Sequence, residues 1–214
     1  MALDRNIYDA ILNGNAKKAH EATEAALTAG AEPMKLIQET MVPAMDEVGK
    51  LFECEDYFVP ELLLAGRAMK NAMEVIKPML CAAGRKMAVR VIIGTVKGDL
   101  HDIGKNIVAS MLEGSGFEVI DLGTDVTPEN FVKAVRESMP HVLCMSALLT
   151  VTMPAMKSTI DALETAGVRK QVKVLVGGAP VTSQYAREIG ADGYSDNASG
   201  AVNMVKELLG QFAA

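Results

Sequence analysis

Asp99, His101 and Gly104 stand in the run Gly98-Asp99-Leu100-His101-Asp102-Ile103-Gly104, a D-x-H-x-x-G spacing. Imidazole is a common metal ligand near neutral pH. A carboxylate two residues earlier can accept a hydrogen bond from one ring nitrogen while the other nitrogen faces a metal, which fixes the tautomer and raises the basicity of the ligand. One histidine is a poor cage for a bare ion. A metal already held by four ring nitrogens of a macrocycle needs only one axial imidazole from the protein, and imidazole suits such borderline metals. Asp99 and His101 are therefore the candidate ligating pair, with Asp102, Ile103 and Gly104 completing the loop.

The elements around this run place it at an edge. Ala88-Val89-Arg90-Val91-Ile92-Ile93-Gly94 reads as a buried strand, and Ile107, Val108, Met111 and Leu112 recur with helical spacing after Gly104. The chain changes period near residue 85. Before it, apolar residues recur at three and four, so residues 1–85 are expected to form a helical bundle. Segments Asp4 to Leu12 and Ala16 to Ala29 are separated by Asn13-Gly14-Asn15, and a third begins at Pro33. Pro43 should kink that third segment or divide it in two. A fourth runs from Pro60 to Leu80, and Gly84 is the expected hinge. From residue 86 to 214, short β-branched runs alternate with amphipathic helices, the pattern of a mostly parallel sheet. Five such βα units predict an α/β fold of flavodoxin-like order, whose ligands bind beyond the carboxyl ends of the strands. The loop of His101, Ser146 to Thr152 after the third strand, and Gly177-Gly178 after the fourth all fall on that edge. A Gly-Gly strand end lets backbone approach a ligand closely.

Composition narrows the partners. The net charge is −6 and no Lys/Arg run exceeds two residues, so the basic footprint that nucleic acid requires is missing. Cys54, Cys81 and Cys144 form no C-x-x-C pair and read as reduced thiols of a cytoplasmic protein. No stretch approaches the roughly 20 apolar residues of a membrane span, and the N-terminus has no signal-peptide core. Methionine is abundant at 14 residues, and Met34, Met41 and Met45 share helical spacing with Ile37 and Val48, as core residues do. His20 and His141 read as surface or capping histidines, and Asn197 as a helix cap.

Asp99-x-His101-x-x-Gly104, Ser146-x-Leu148 and Gly177-Gly178 together resemble the cobalamin-binding fingerprint of the corrinoid proteins of three-component methyltransferase systems, the methanol, methylamine and aryl methyl ether type. The chain is also similar to the cobalamin module of methionine synthase. The resemblance implies a base-off cobalamin with His101 as lower axial ligand of the cobalt and a nucleotide tail entering the α/β domain. Ser146 and Leu148 would then face the base, and Gly177 and Gly178 would line the slot. Thr152 falls where methionine synthase completes a histidine-aspartate-serine relay, and a shift of register would select Thr150 instead. Val48 to Phe52 and Tyr57 to Leu62 resemble the cap over the upper corrin face, which makes Phe52, Val59 and Leu62 its apolar contacts.

The resemblance implies a methyl carrier, not catalytic alone. It would accept a methyl group on Co(I) from a substrate methyltransferase and pass it from methyl-Co(III) to a second methyltransferase using tetrahydrofolate or coenzyme M, with a reductive activase as a further partner. The alternatives are the cobalamin-binding subunit of an adenosylcobalamin mutase, which shares the histidine loop but needs no helical cap, and a cobalamin-dependent sensor, which needs a DNA-binding element.

Overall fold

The structure is a computed structural model that describes residues 4–82 and 89–210, with backbone alone at 77 and 80–82. The expected hinge at Gly84, the start of the first strand at Ala88 and the end of the last helix at Phe212 lie outside the described residues. The chain forms two compact units, Met1–Ala88 with Ser110–Glu118, and Val89–Ala109 with Val119–Ala214.

In the helical unit, α1 (Arg5–Leu12) starts where the Asp4 carboxylate accepts from the Asn6 and Ile7 amides. Asn15 caps α2 (Ala16–Thr28) by accepting from the Lys18 amide. The third segment is neither one helix nor two separate ones. A four-residue α3 (Pro33–Leu36) widens into a π turn at Ile37–Met41 and continues as α4 (Val42–Glu53). Pro43 explains the widening: it has no N–H to continue the regular ladder and its ring crowds the preceding turn, so the chain takes the looser pitch just before it. The fourth segment is α5 (Val59–Ala82), opened by Glu61, whose carboxylate accepts from the Phe58 amide at 3.0 Å. Met41, Met45 and Met69 are fully buried, so these methionines fill core.

The second unit carries β1 (Arg90–Thr95), β2 (Glu118–Asp121), β3 (Val142–Ser146), β4 (Lys173–Gly177) and β5 (Gly193–Ser195). Their order is β2-β1-β3-β4-β5. β1 pairs with β3, β3 with β4 and β4 with β5, all in parallel, and Thr95 pairs with Ser146 and Ser146 with Gly177. The connecting helices are α6 (Ile103–Gly114), α7 (Pro128–Ser138), α8 (Pro154–Thr165) and α9 (Ser183–Ile189), and α10 (Ala198–Leu208) closes the chain. The sheet is thus an α/β sheet of flavodoxin-like order whose central strands are buried and apolar through their middles, at Val91–Ile93, Val142–Met145 and Val174–Val176, as sheets covered on both faces require. Phe131 of α7, fully buried, packs so closely on β1 that a Cβ on Gly94 would lie 2.9 Å from its ring. Burial pushes the Cys144 thiol of β3 up to about 12, which leaves it protonated and inert.

One boundary differs from the sequence reading, which gave everything after residue 85 to the sheet domain. Residues 110–118, the end of α6 and the turn after it, group with the helical unit. Two glycines permit this: a Cβ on Gly114 would lie 2.8 Å from Met45 Cε, and one on Gly66 would lie 3.4 Å from the Ser110 carbonyl oxygen. Helical periodicity reports that a face is apolar but not which neighbour it meets.

Candidate functional site

Strand order reverses between β1 and β3, and in open sheets of this order the crevice at that switch point receives ligands. The loops leaving these two strands carry Asp99 and Thr152. Asp99 has no exposed surface, a costly place for a carboxylate unless its oxygens are hydrogen-bonded. Its Oδ1 accepts from His101 Nδ1 at 2.7 Å and from the His101 amide at 3.0 Å. Its Oδ2 accepts from Thr152 Oγ1 at 2.7 Å and from the Leu148 amide at 2.8 Å. One buried carboxylate therefore joins the loop after β1 to the loop after β3.

The charge state follows from these contacts. Burial alone would raise the carboxyl of Asp99, but the hydrogen bonds from Thr152, the Leu148 amide, and the amide and ring of His101 outweigh it and hold the group well below the usual carboxylate range. An ionised carboxylate can only accept, so the proton of the neutral imidazole sits on Nδ1. The Nε2 lone pair of His101 is left for a ligand, on a side chain that is 51% exposed. The Thr152 hydroxyl also lies 2.8 Å from the Leu149 carbonyl oxygen, so its single proton has two acceptors. Thr150 is exposed on the same loop, and the hydroxyl on Asp99 belongs to Thr152.

Around this centre the loops present apolar surface. Ile103 is 76% exposed, Leu100 73% and Leu148 43%. Gly104, the second residue of α6, has empty space where a Cβ would stand. Gly178 is the opposite case: its φ is +124°, and a Cβ would lie 1.9 Å from the Ala147 carbonyl oxygen, so no side chain can occur there. Gly177 ends β4 beside Ser146, and a Cβ on it would lie 2.8 Å from the Ser195 carbonyl oxygen. Asp102 precedes α6, and its carboxylate accepts from the Asn106 side chain at 3.1 Å. Phe52, Val59 and Leu62 belong to the helical unit, where Leu62 is fully buried, Val59 is 37% exposed and Phe52 is partly buried.

Sequence reasoning missed several supports. Thr95 Oγ1 donates to the His101 carbonyl oxygen at 2.9 Å. Lys105 is buried and its ammonium pairs with Asp121 at the end of β2, tying α6 to the sheet. Asp125 meets the loop after β1 through its carboxylate and its amide. Lys105 and Asp125 have no local spacing that marks them, because Asp121 and Gly98, their partners, lie on other segments. The remaining histidines are structural: His141 Nδ1 lies 3.2 Å from the Arg90 amide, and His20 Nδ1 lies 3.3 Å from the Asn71 carbonyl oxygen. Asn197 caps α10 by accepting from the Gly200 amide at 2.7 Å.

Among the described residues no group of three or more His, Cys, Asp or Glu side chains could hold a metal ion. A single imidazole nitrogen left for a ligand at a strand edge that presents exposed Leu100, Ile103 and Leu148 and bare glycine backbone instead fits a macrocycle that brings its own equatorial ligands. Comparison with known proteins points the same way. A family described as B12 binding domain matches residues 89–203, and a second of the same description matches residues 3–77. Trimethylamine corrinoid protein 1 of Methanosarcina acetivorans is 44% identical over 203 residues, covering 94% of each chain. The chain belongs to the corrinoid protein family of methyltransferase systems. A crystal structure of a cobalamin-binding protein from Desulfitobacterium hafniense matches this corrinoid protein with a TM-score of 0.79 and 34% identity, over 94% of this chain and 96% of that one. The methanol:cobalamin methyltransferase complex of Methanosarcina barkeri matches with a TM-score of 0.83 and 31% identity, over 95% of this chain and 78% of that one. Among the described residues no helix is long and apolar enough to cross a membrane.

Proposed function

We propose that this corrinoid protein is a methyl carrier: it holds a base-off cobalamin by His101 and serves a substrate methyltransferase, whose donor is a methylated amine, and a second methyltransferase acting on tetrahydrofolate or coenzyme M. A reductive activase is a further partner. The observation that carries the reading is the buried Asp99 network, which fixes the His101 ring and leaves Nε2 free at the switch point of the sheet. The likeness to the trimethylamine corrinoid protein supports the donor class.

When bound, the cobalt supplies the bond that carries the methyl group, and the protein supplies everything else. His101 Nε2 would hold the lower face. Ser146, Leu148 and the bare Gly177-Gly178 backbone would bound the slot for the nucleotide tail. Asp99 keeps the imidazole oriented and stabilises positive charge on it. The Asp99 carboxylate, 2.7 Å from Nδ1, would offset any positive charge that the ring carries as its ligation changes. The Thr152 hydroxyl can turn between Asp99 Oδ2 and the Leu149 carbonyl oxygen, 2.7 and 2.8 Å away, so the strength of the Asp99 hydrogen bond can follow the charge on the ring.

The test is reconstitution. Wild-type protein incubated with hydroxocobalamin and passed through gel filtration should retain one equivalent of coloured cofactor, and with its partner enzymes should transfer methyl groups from a methylated amine. His101→Ala should lose the spectrum of a histidine-ligated cobalamin and most of the transfer rate. A wild-type protein that emerges colourless, or a His101→Ala variant with an unchanged spectrum, overturns the reading.

A further inference from the structure

The turn that presents Asp99 is closed by the Asp99 amide donating to the Val96 carbonyl oxygen at 3.1 Å, with Gly98 at φ +81°. Positive φ at the third position is the signature of a type II turn, and such turns convert to type I by flipping their central peptide. Here the central peptide bears the Gly98 N–H. That N–H donates to Asp125 Oδ1 at 2.7 Å, and the Asp125 amide donates to the Asp99 carbonyl oxygen at 3.0 Å. One residue of the loop before α7 thus grips the peptide that could flip and the carbonyl of the residue that orients His101. Asp125 does this at φ +53°, the left-handed region that a residue with a Cβ rarely occupies and that Asp and Asn tolerate best. Backbone held in that region marks a position over-determined by its surroundings. Its neighbours are laced to β1 as well: the Thr95 amide donates to the Gly123 carbonyl oxygen and the Val126 amide to that of Thr95, each at 2.9 Å.

We infer that Asp125 is a positioning residue: its side-chain acceptor on the Gly98 N–H locks the turn that sets Asp99, and through Asp99 the ring of His101, before any ligand arrives. Its two hydrogen bonds, from the Gly98 amide to Oδ1 and from its own amide to the Asp99 carbonyl oxygen, reach His101 by way of the Asp99 turn. The inference deepens the proposed function, since preset geometry matters to a residue that must meet one metal coordination site.

Two substitutions separate the parts of the argument. Asp125→Asn keeps an oxygen acceptor and tolerates positive φ, and Asp125→Gly keeps positive φ but removes the acceptor. In the cofactor-free protein, amide hydrogen exchange at Gly98 and the His101 χ1 populations, read from three-bond couplings, should match wild type in Asp125→Asn. In Asp125→Gly the Gly98 amide should exchange about tenfold faster, the equilibrium value of one lost charge-assisted hydrogen bond, and the His101 ring should sample more than one rotamer. After loading with hydroxocobalamin and reduction, the ratio of histidine-ligated to unligated cobalt should fall about tenfold in Asp125→Gly and stay at the wild-type value in Asp125→Asn. If Asp125→Gly matches wild type, or Asp125→Asn fails together with it, the inference is overturned. If wild-type protein takes up no corrinoid, the proposed function falls, and the cofactor-free measurements still decide the role of Asp125.

Discussion

Asp99 concentrates more of the site's chemistry than any other side chain, because it is buried, ionised and hydrogen-bonded from two loops at once. Thr152→Val keeps the shape of the side chain and removes one donor, so the carboxyl of Asp99 should rise towards its ordinary value. The sign of the pH dependence follows. A carboxyl held below its unfolded value stabilises the fold above the ordinary carboxylate range, and that contribution is lost as pH falls and the unfolded chain takes the proton first. Thr152→Val should therefore cost about 2 kcal/mol at pH 7, with a smaller cost at pH 3, whereas Thr152→Ser should cost little at either. Urea unfolding at the two pH values checks this, and a cost that does not change with pH would contradict it. The pairing of Asp99 with His101 was legible from a spacing of two residues. Thr152 over Thr150 was not, since sequence register alone could not say which hydroxyl would turn towards a carboxylate 53 positions away.

The strand ends decide whether the crevice exists. Gly178 and Gly104 predict opposite outcomes for the same added methyl group. Gly178→Ala places a Cβ against the Ala147 carbonyl oxygen and forces an alanine to φ +124°, so it should destabilise the sheet unit by about 3 kcal/mol or more. Gly104→Ala meets nothing within 4 Å and gains helix propensity, so it should be neutral or stabilising by up to about 1 kcal/mol. It should nonetheless weaken corrinoid retention by filling the space beside His101. Denaturant unfolding and gel filtration of the loaded variants read the two effects separately, and a Gly104→Ala variant with wild-type retention would remove Gly104 from the site. The five strands and their order were legible because β-branched runs alternate with amphipathic helices, a signal carried by many residues. The π turn ahead of Pro43 was not, because a proline announces a disturbed helix without choosing between a kink, a break and a looser pitch.

At the scale of the whole molecule, the chemistry of the site and the B12-binding family matches agree on a protein that holds a corrinoid cofactor. The net charge is −6, and β1, β3 and β4 contribute to a continuous apolar core. A ligand that binds only the folded state must stabilise it by mass action. Hydroxocobalamin at a hundredfold excess over its dissociation constant should add about 2.7 kcal/mol to the unfolding free energy of the wild-type protein, and less to His101→Ala. Equal stabilisation of both would separate binding from ligation. What the periodicity of the sequence could not supply was the grouping of residues 110–118 with the helical unit, since that depends on Gly114 and Gly66 admitting close neighbours. The most direct measurement is the electron spin resonance of the reduced, cobalt(II)-loaded protein prepared with ordinary histidine and with 15N-histidine. The account predicts that each cobalt line is split into three by one axial nitrogen in the first sample and into two in the second, and that His101→Ala shows neither pattern. Splitting unchanged by the isotope, or retained in His101→Ala, would show that the cobalt takes its nitrogen from somewhere other than His101.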